Sequence, residues 1–365
     1  MLADVTYEGA RSITGPFLAM LGASGTLVGM VSGLGELTGN GLRLASGWLA
    51  DRTRRYWFLT LAGYAVNLLA VPLLALAGRW EVAAVLIIAE RTGKALRTPP
   101  RDAILSHATA RLGRGWGFGL HEAMDQIGAV AGPLFVAAVL RAEHNYRLAF
   151  ALLLAPALAA LAVLTRARQQ YPNPQDLETT PGLATRGFSR TFWIYLAAVG
   201  LVAAGYADFP LIAYHFGRRS VFPAEQIPLL YALAMGVDAL AALIFGRLFD
   251  KRGISLLALV AALSALAAPL AFSGGRAAAL VAMVVWGAGM GAQESLLRAA
   301  VGALAPASRR GTAYGLFNAF YGFLWFAGSA VMGFLYDISL KSLITFSVAV
   351  QLLAVPLFLA AGHAG

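Results

Sequence analysis

Long apolar runs, each closed by a short cluster of charges or by Gly and Pro, recur along the whole chain. They predict helices near 2–22, 25–50, 56–77, 80–104, 113–140 and 146–166, then near 191–216, 223–249, 254–273, 276–303, 311–336 and 341–361. About twenty apolar residues wound as a helix span roughly 30 Å of hydrocarbon, so each run is long enough to cross a bilayer. The pattern predicts an all-α membrane protein with twelve transmembrane helices. Between the sixth and seventh runs lies "RARQQYPNPQDLETTPGLATRGFSR" (166–190), rich in proline and charge and without apolar periodicity. It reads as a cytoplasmic linker, so the expected domains are an N-terminal six-helix bundle (1–166), a linker (167–190) and a C-terminal six-helix bundle (191–365).

The two halves echo each other. "GWLADRTRR" (47–55) is matched by "GRLFDKRG" (246–253), each ending the second helix of its half, and "RGWGFGLHEA" (114–123) by "RGTAYGLFNA" (310–319), each opening the fifth. Two matches in the same order at nearly the same offset point to a duplicated six-helix unit, the organisation of transporters whose site lies between two repeats.

Composition agrees with a membrane setting. Hydrophobic residues make up 59% of the chain and charged ones 13%, against roughly 25% charged in soluble domains. The net charge of +10 would fit nucleic-acid binding in a soluble protein, but the basic residues sit in small clusters between apolar runs, where membrane orientation explains them and no nucleic-acid partner is expected. Arg52, Arg54, Arg55, Arg111, Arg114, Arg166, Arg168, Arg186, Arg190, Lys251, Arg252, Arg309 and Arg310 fall in the even-numbered loops. Arg79, Arg141, Arg147, Arg218, Arg219, Arg276 and Lys341 fall on the other side, so both termini are expected in the cytoplasm. The N-terminus lacks the pattern of a cleavable signal peptide. With no cysteine, five scattered histidines and no G-x4-G-K-[ST] loop, the sequence predicts no metal site, no cofactor and no nucleotide-driven motor of its own.

The twelve-helix duplicated plan, the long middle loop and the repeated G-x-L-A-D-R-x-x-R loop resemble the major facilitator superfamily over essentially the whole chain. Arg54 stands where that family usually has glycine. The resemblance implies that Gly47, Asp51, Arg52 and Arg55, with Asp102 at the inner end of helix 4 and the echo Asp250, form a gate between access states. A carboxylate at a helix C-terminus is disfavoured by the helix dipole, so Asp51 needs basic partners, and Gly47 is expected to let neighbouring helices approach closely. Gly119, Gly128, Gly132 and Pro133 fit G-x8-G-x3-G-P on helix 5, which resembles the motif of the superfamily's exporters, although Val136 and Ala137 occupy the region of its trailing glycines.

Ionisable residues inside membrane helices cost at least ~2.5 kcal/mol each on insertion scales and are functional candidates by default. On helix 1, Asp4, Glu8 and Arg11 share one face, and Asp4 and Glu8 are candidates for proton coupling. On helix 5, Glu122 and Asp125 beside His121 are further coupling candidates, with a hydrated structural role as the alternative. Helix 2 carries a polar face of Glu36, Asn40 and Arg43. Helix 4 reads "AERTGKALRTPPRDAIL" (89–105): Glu90, Lys94, Arg97 and Arg101 form a charged stripe, Arg91 resembles the superfamily's fourth-helix arginine, and Pro99–Pro100 should break or kink the helix. Arg11, Glu36, Asn40, Arg43, Arg91, Lys94 and Arg97 are expected to line a substrate cavity, or else to pair with the acids and serve packing. From the second half Tyr206, Asp208, Gln293, Glu294, Asn318 and Tyr321 join the cavity residues, the asymmetry placing ion handling in the first half and substrate contacts in the second.

The expectation is therefore a monomeric, multi-pass secondary transporter of the bacterial inner membrane, in contact with membrane lipid, that exports a small organic molecule against protons by alternating access. Two alternatives stand beside it: proton-coupled import of an anionic metabolite or metal chelate, and a membrane-embedded enzyme, which the absence of a catalytic constellation and the repeated loop motif disfavour.

Overall fold

The structure, a computed structural model, describes residues 1–108, 114–172, 187–304 and 310–363. Within these, the side chains of 51, 106–108, 114–123, 250, 302, 303, 310–312 and 363 lie outside the description, and with them the candidates Asp51, Gly119, Glu122 and Asp250.

The described residues carry no strand, and their helices group into twelve successive stretches. In the first half these are α1 (Leu2–Met20), α2 (Gly25–Thr53), α3 (Tyr56–Leu73), α4 (Trp80–Ala108), α5 (Arg114–Glu143) and α6 (Tyr146–Leu152 continuing as Leu154–Gln170). In the second, α7 is broken into Arg190–Gly205 and Phe209–Arg218, α8 is Ile227–Arg252, and α9 is broken into Leu256–Ser264 and Ala267–Ser273. Next, α10 runs from Arg276–Ala292 through a π turn at Gln293–Leu297 to Arg298–Leu304, followed by α11 (Arg310–Ile338) and α12 (Leu340–His363). Nine of these, among the described residues, are long and apolar enough to cross a membrane.

Local chemistry sets several starts. Asn145 Oδ1 accepts from the amides of Arg147 and Leu148 at 2.9 and 3.2 Å, and Ser189 Oγ accepts from that of Phe192 at 3.2 Å, capping α6 and α7. Of the break or kink expected at Pro99–Pro100, the break does not occur: α4 is one continuous helix. Pro100 deprives the Leu96 carbonyl of its helical donor, and Ser46 Oγ of α2 donates to that carbonyl at 2.6 Å instead. A side chain from a neighbouring helix thus supplies the missing bond, which is how membrane helices tolerate proline.

The chain divides into two compact units. The first comprises Met1–Gly22, Leu34–Thr180 and Ala224–Ala232, and the second Ala23–Gly33, Pro181–Pro223 and Leu233–Gly365. In the first, α3 lies along α4 and α1 along α5. Gly63 and Gly93 make the α3–α4 contact: a methyl on Gly93 would fall 2.7 Å from the Gly63 carbonyl oxygen. Gly128 and Gly132 of α5 meet the backbone of α1 at Met1, Val5 and Gly9 in the same way. Lipid is as apolar as leucine, so these helices associate through close van der Waals packing and interhelical hydrogen bonds, for which small residues are required. Gly47 departs from expectation. Among the described residues a methyl there would meet only Pro99, at an ordinary 3.5 Å, so no close approach among them demands glycine at this position.

The core of the second unit gathers Phe192, Tyr195, Val199, Leu256, Leu297, Phe317 and Phe358 from α7 and α9–α12. Two of its irregularities are paid for by side chains: the Gly205 carbonyl at the α7 break accepts from Ser347 Oγ (2.6 Å) and Gln351 Nε2 (3.0 Å), and the Leu297 carbonyl in the π turn accepts from Tyr195 Oη (2.6 Å). The start of α2 belongs to this unit, and Asp337 accepts there from the amides of Gly25 (2.9 Å) and Thr26 (2.7 Å) and from Thr26 Oγ1 (2.6 Å).

Candidate functional site

The first unit encloses a charged network built from α1, α2, α4 and the first turns of α8. Stepping along one face of α1, Asp4 accepts from the Tyr7 hydroxyl, Glu8 meets Lys94, and Arg11 meets Glu36. Helical periodicity stacks these three ionisable groups toward the stripe of α4, as their spacing predicts. Arg11 Nη2 lies 3.0 Å and Arg91 Nη2 3.6 Å from Glu36 Oε1, so one carboxylate is shared by two guanidinium groups. Arg91 Nε also lies 3.3 Å from Glu90, which accepts from Asn67 Nδ2 at 2.6 Å.

Glu8 is buried, 8% exposed. Its Oε2 accepts from Tyr231 Oη at 2.6 Å, and its Oε1 lies 3.7 Å from Lys94 Nζ. A hydroxyl donor thus meets one of its oxygens and a cation lies beside the other. Lys94 also sits 4.0 Å over the Tyr7 ring. Arg97, 1% exposed, stacks its guanidinium 4.1 Å from the centroid of Tyr64 and 5.5 Å from that of Tyr7, and makes no ion pair among the described residues. An aromatic face offsets part of the cost of desolvating a guanidinium.

Other candidates are placed differently. Asn40 donates to the Glu36 carbonyl of its own helix at 3.0 Å. Arg43 is half-buried on α2. Asp125 of α5 lies near the amino group of Met1 (3.2 Å), which also approaches Asp4 (2.7 Å). Asp102 pairs with its neighbour Arg101 at 2.7 Å, while Arg52 is exposed over the Trp48 ring and Arg55 is exposed.

In the second unit, Asp208 stands at the start of the second segment of α7 but does not cap it. Its buried carboxylate instead accepts from Trp325 Nε1 (3.1 Å) and Ser329 Oγ (3.3 Å). Around it Tyr206 contacts Trp286 and Trp325, each with centroids 5.7 Å apart, and Tyr321 lies tilted against Trp325 with centroids 5.3 Å apart and donates to Gln293 Oε1 at 3.3 Å. The Tyr206 hydroxyl donates to the Trp286 carbonyl. Glu294 is exposed and Asn318 half-buried.

Sequence reasoning missed Tyr7, Tyr64, Asn67 and Tyr231. Only Asn67, a polar residue inside "YAVNLLAV", carried a local signal; Tyr231 sits in the unbroken run "LLYALAMGVD" and reads as core.

Twelve helical stretches with a buried charged network in one unit and a buried polar–aromatic cluster in the other define a multi-pass membrane transport protein. The sequence profile of the Major Facilitator Superfamily matches residues 2–329, and the chain belongs to that family, whose members are secondary transporters of small molecules. An uncharacterized protein of Mycobacterium tuberculosis is 44% identical over 99% of this chain and 90% of its own length. An uncharacterized transporter of the same superfamily from Methanocaldococcus jannaschii is 33% identical over 36% of this chain and 33% of its own. Among solved structures, a peptide transporter, POT, in complex with sulfate superposes with a TM-score of 0.77 at 16% identity, covering 99% of this chain and 91% of that one. A bacterial homolog of the human lysosomal transporter Spinster gives 0.75 at 15% identity, covering 99% and 95%, and the nucleoside transporter NupG 0.71 at 15% identity, covering 100% and 95%. These likenesses establish the shared fold.

Proposed function

We propose that the chain is a proton-coupled exporter of a small organic molecule, with Glu8 as the principal coupling group and Asp4, Glu122 and Asp125 as auxiliary ones. The observation that carries this reading is the burial of Glu8 between Lys94 and Tyr231. A buried carboxylate held by a cation is stable while charged; protonation cancels the attraction, and so changes what Lys94 holds. Export is favoured because Gly128 and Gly132, beside Pro133 in the exporter-like motif, pack directly on the helix that carries Asp4 and Glu8. Movement of α5 against α1 would then reach the coupling groups themselves. Tyr206, Asp208, Gln293, Glu294, Asn318 and Tyr321 serve the substrate, and Gly47, Asp51, Arg52, Arg55, Asp102 and Asp250 serve the gate between access states. The protein works as a monomer in the bacterial inner membrane with both termini in the cytoplasm, as the distribution of Lys and Arg between loops favours.

Proteoliposomes with an imposed pH gradient test this reading. A panel of organic cations, anions and neutral compounds should contain at least one that dissipates the gradient through the wild-type protein, and Glu8→Gln should abolish that exchange while binding persists. Gradient-driven exchange by Glu8→Gln at the wild-type rate removes Glu8 from coupling.

A second reading, import of an anionic metabolite or metal chelate, rests on Arg97. A buried guanidinium stacked on tyrosines and without an ion pair among the described residues is suited to a substrate carboxylate or phosphate. Accumulation, rather than expulsion, of such an anion along an inward proton gradient would favour this alternative.

A further inference from the structure

We infer that Tyr231 is a positioning residue through which the protonation state of Glu8 holds or frees the first turns of α8. The inference rests on the coupling role proposed for Glu8 and adds the element on which that role acts. The segment Ala224–Ala232 belongs to the first unit, whereas the chain from Leu233 onward belongs to the second, so α8 begins in one unit and ends in the other. Two features tie its beginning to the first unit. The turn at Ala224–Gln226 packs on α5, and Tyr231, 1% exposed, donates its hydroxyl to Glu8 at 2.6 Å. The first tie is general packing. The second depends on the charge of its acceptor.

The charged and titratable groups around Glu8 are Lys94 and, further off, Arg91 and Glu90 from α4, Glu36 from α2, Arg11 and Tyr7 from α1 itself, and Tyr231 from α8; Asp125 of α5 lies at the Asp4 end of α1. Lys94 is the nearest charge, and while Glu8 carries its own charge the Tyr231 phenol donates to an ionised acceptor. A hydrogen bond to an ionised acceptor is roughly twice as strong as one between neutral groups. Proton arrival at Glu8 therefore weakens the Tyr231 bond and the Lys94 pair together, and the start of α8 loses its charge-dependent tie. The event is transfer of a proton from hydronium of the aqueous phase to Glu8 Oε1 or Oε2: the donor's O–H bond breaks, leaving water, as the carboxyl O–H bond forms.

The chain contains no cysteine, so one introduced thiol reports without background. Ala232→Cys, next to Tyr231 and 5% exposed in the native residue, is alkylated with N-ethylmaleimide in nanodiscs at neutral and mildly acidic pH. Rates are normalised to Met20→Cys, at the exposed end of α1, to remove the intrinsic pH dependence of the thiol. The expected result is slow labelling at neutral pH, rising roughly five- to tenfold in acid, as expected for loss of a charge-assisted hydrogen bond. Tyr231→Phe should label at the fast rate at both pH values, Glu8→Gln likewise, and the double variant no faster than either. A Tyr231→Phe variant that keeps the wild-type pH profile, with or without a constant offset, overturns the inference, and so do additive effects in the double variant. If Tyr231→Phe is not monodisperse, the Glu8→Gln profile decides alone, since its amide cannot supply the charge. Failure of the coupling reading is seen separately: Glu8→Gln then retains gradient-driven exchange, whatever the labelling rates.

Discussion

Ser46 on α2 donates its hydroxyl at 2.6 Å to the Leu96 carbonyl on α4, the acceptor that Pro100 leaves without a helical partner. Ser46 is itself buried, so its loss would leave that carbonyl without a donor. Ser46→Ala should therefore cost about 1–3 kcal/mol, the penalty of an unsatisfied buried carbonyl, read as a lowered unfolding temperature in detergent. Pro100→Ala restores the amide, so in that background Ser46→Ala should cost markedly less. Equal costs in both backgrounds would show that the bond does not compensate the proline.

Gly93 faces the backbone of α3, with the Gly63 carbonyl oxygen 2.7 Å from where a methyl would sit. Backbone cannot swing aside as a side chain can. Gly93→Ala should push α3 and α4 apart at a cost of about 1–3 kcal/mol. Gly47→Ala, whose methyl would meet Pro99 at 3.5 Å, should change thermal stability little. If the two variants melt alike, the α3–α4 contact is looser than the distances imply.

The helical plan was legible in the sequence because a bilayer imposes its own ruler: spans of a set apolar length, with charges pushed to the ends or into pairs. The face of α1 bearing Asp4, Glu8 and Arg11 was legible for a similar reason, since spacing alone decides which residues share a helix face. What local patterns could not supply were effects with remote causes. The double proline reads as a break, and a serine fifty residues away removes the reason for one. The interruption after Gly205 depends on Ser347 and Gln351, and the π turn on Tyr195, none of them near in sequence. Tyr231 is apolar in pattern and polar in use, and only the fold brings its hydroxyl to Glu8.

Glu36 is the carboxylate that Arg11 and Arg91 share, at 3.0 and 3.6 Å, with each side chain less than one-fifth exposed. Removing one charge from such a cluster leaves opposite charges desolvated and uncompensated. Glu36→Gln should lower stability by about 3–5 kcal/mol, the range for breaking a buried ion pair. Arg91→Met should cost less in the Glu36→Gln background than alone, because part of what it removes has already become unfavourable. Strict additivity in this cycle, measured by thermal unfolding, would mean that Arg91 and Glu36 act independently.

The gate proposed at the ends of α2 and α8 rests on Asp51 and Asp250, each in the last turns of the second helix of its repeat, beside Arg52 and Lys251 respectively. A carboxylate there faces the negative end of the helix dipole, an unfavourable site that nearby cations must offset. Such a group is poorly explained as a helix stabiliser, and better as one whose partners differ between two states. Asp51→Asn should then slow exchange across proteoliposome membranes by roughly tenfold, equivalent to about 1.4 kcal/mol in the barrier to switching. Substrate affinity, measured by calorimetry with whichever panel compound dissipates the gradient, should stay within about twofold, since ligand-independent switching and ligand binding are separate free energies. Asp250→Asn should give a smaller defect, because Gly253 closes that loop without the arginine that follows Asp51 at position 55. Exchange at the wild-type rate in Asp51→Asn would assign the cluster to membrane orientation alone; a loss of affinity matching the loss of rate would place Asp51 in substrate binding.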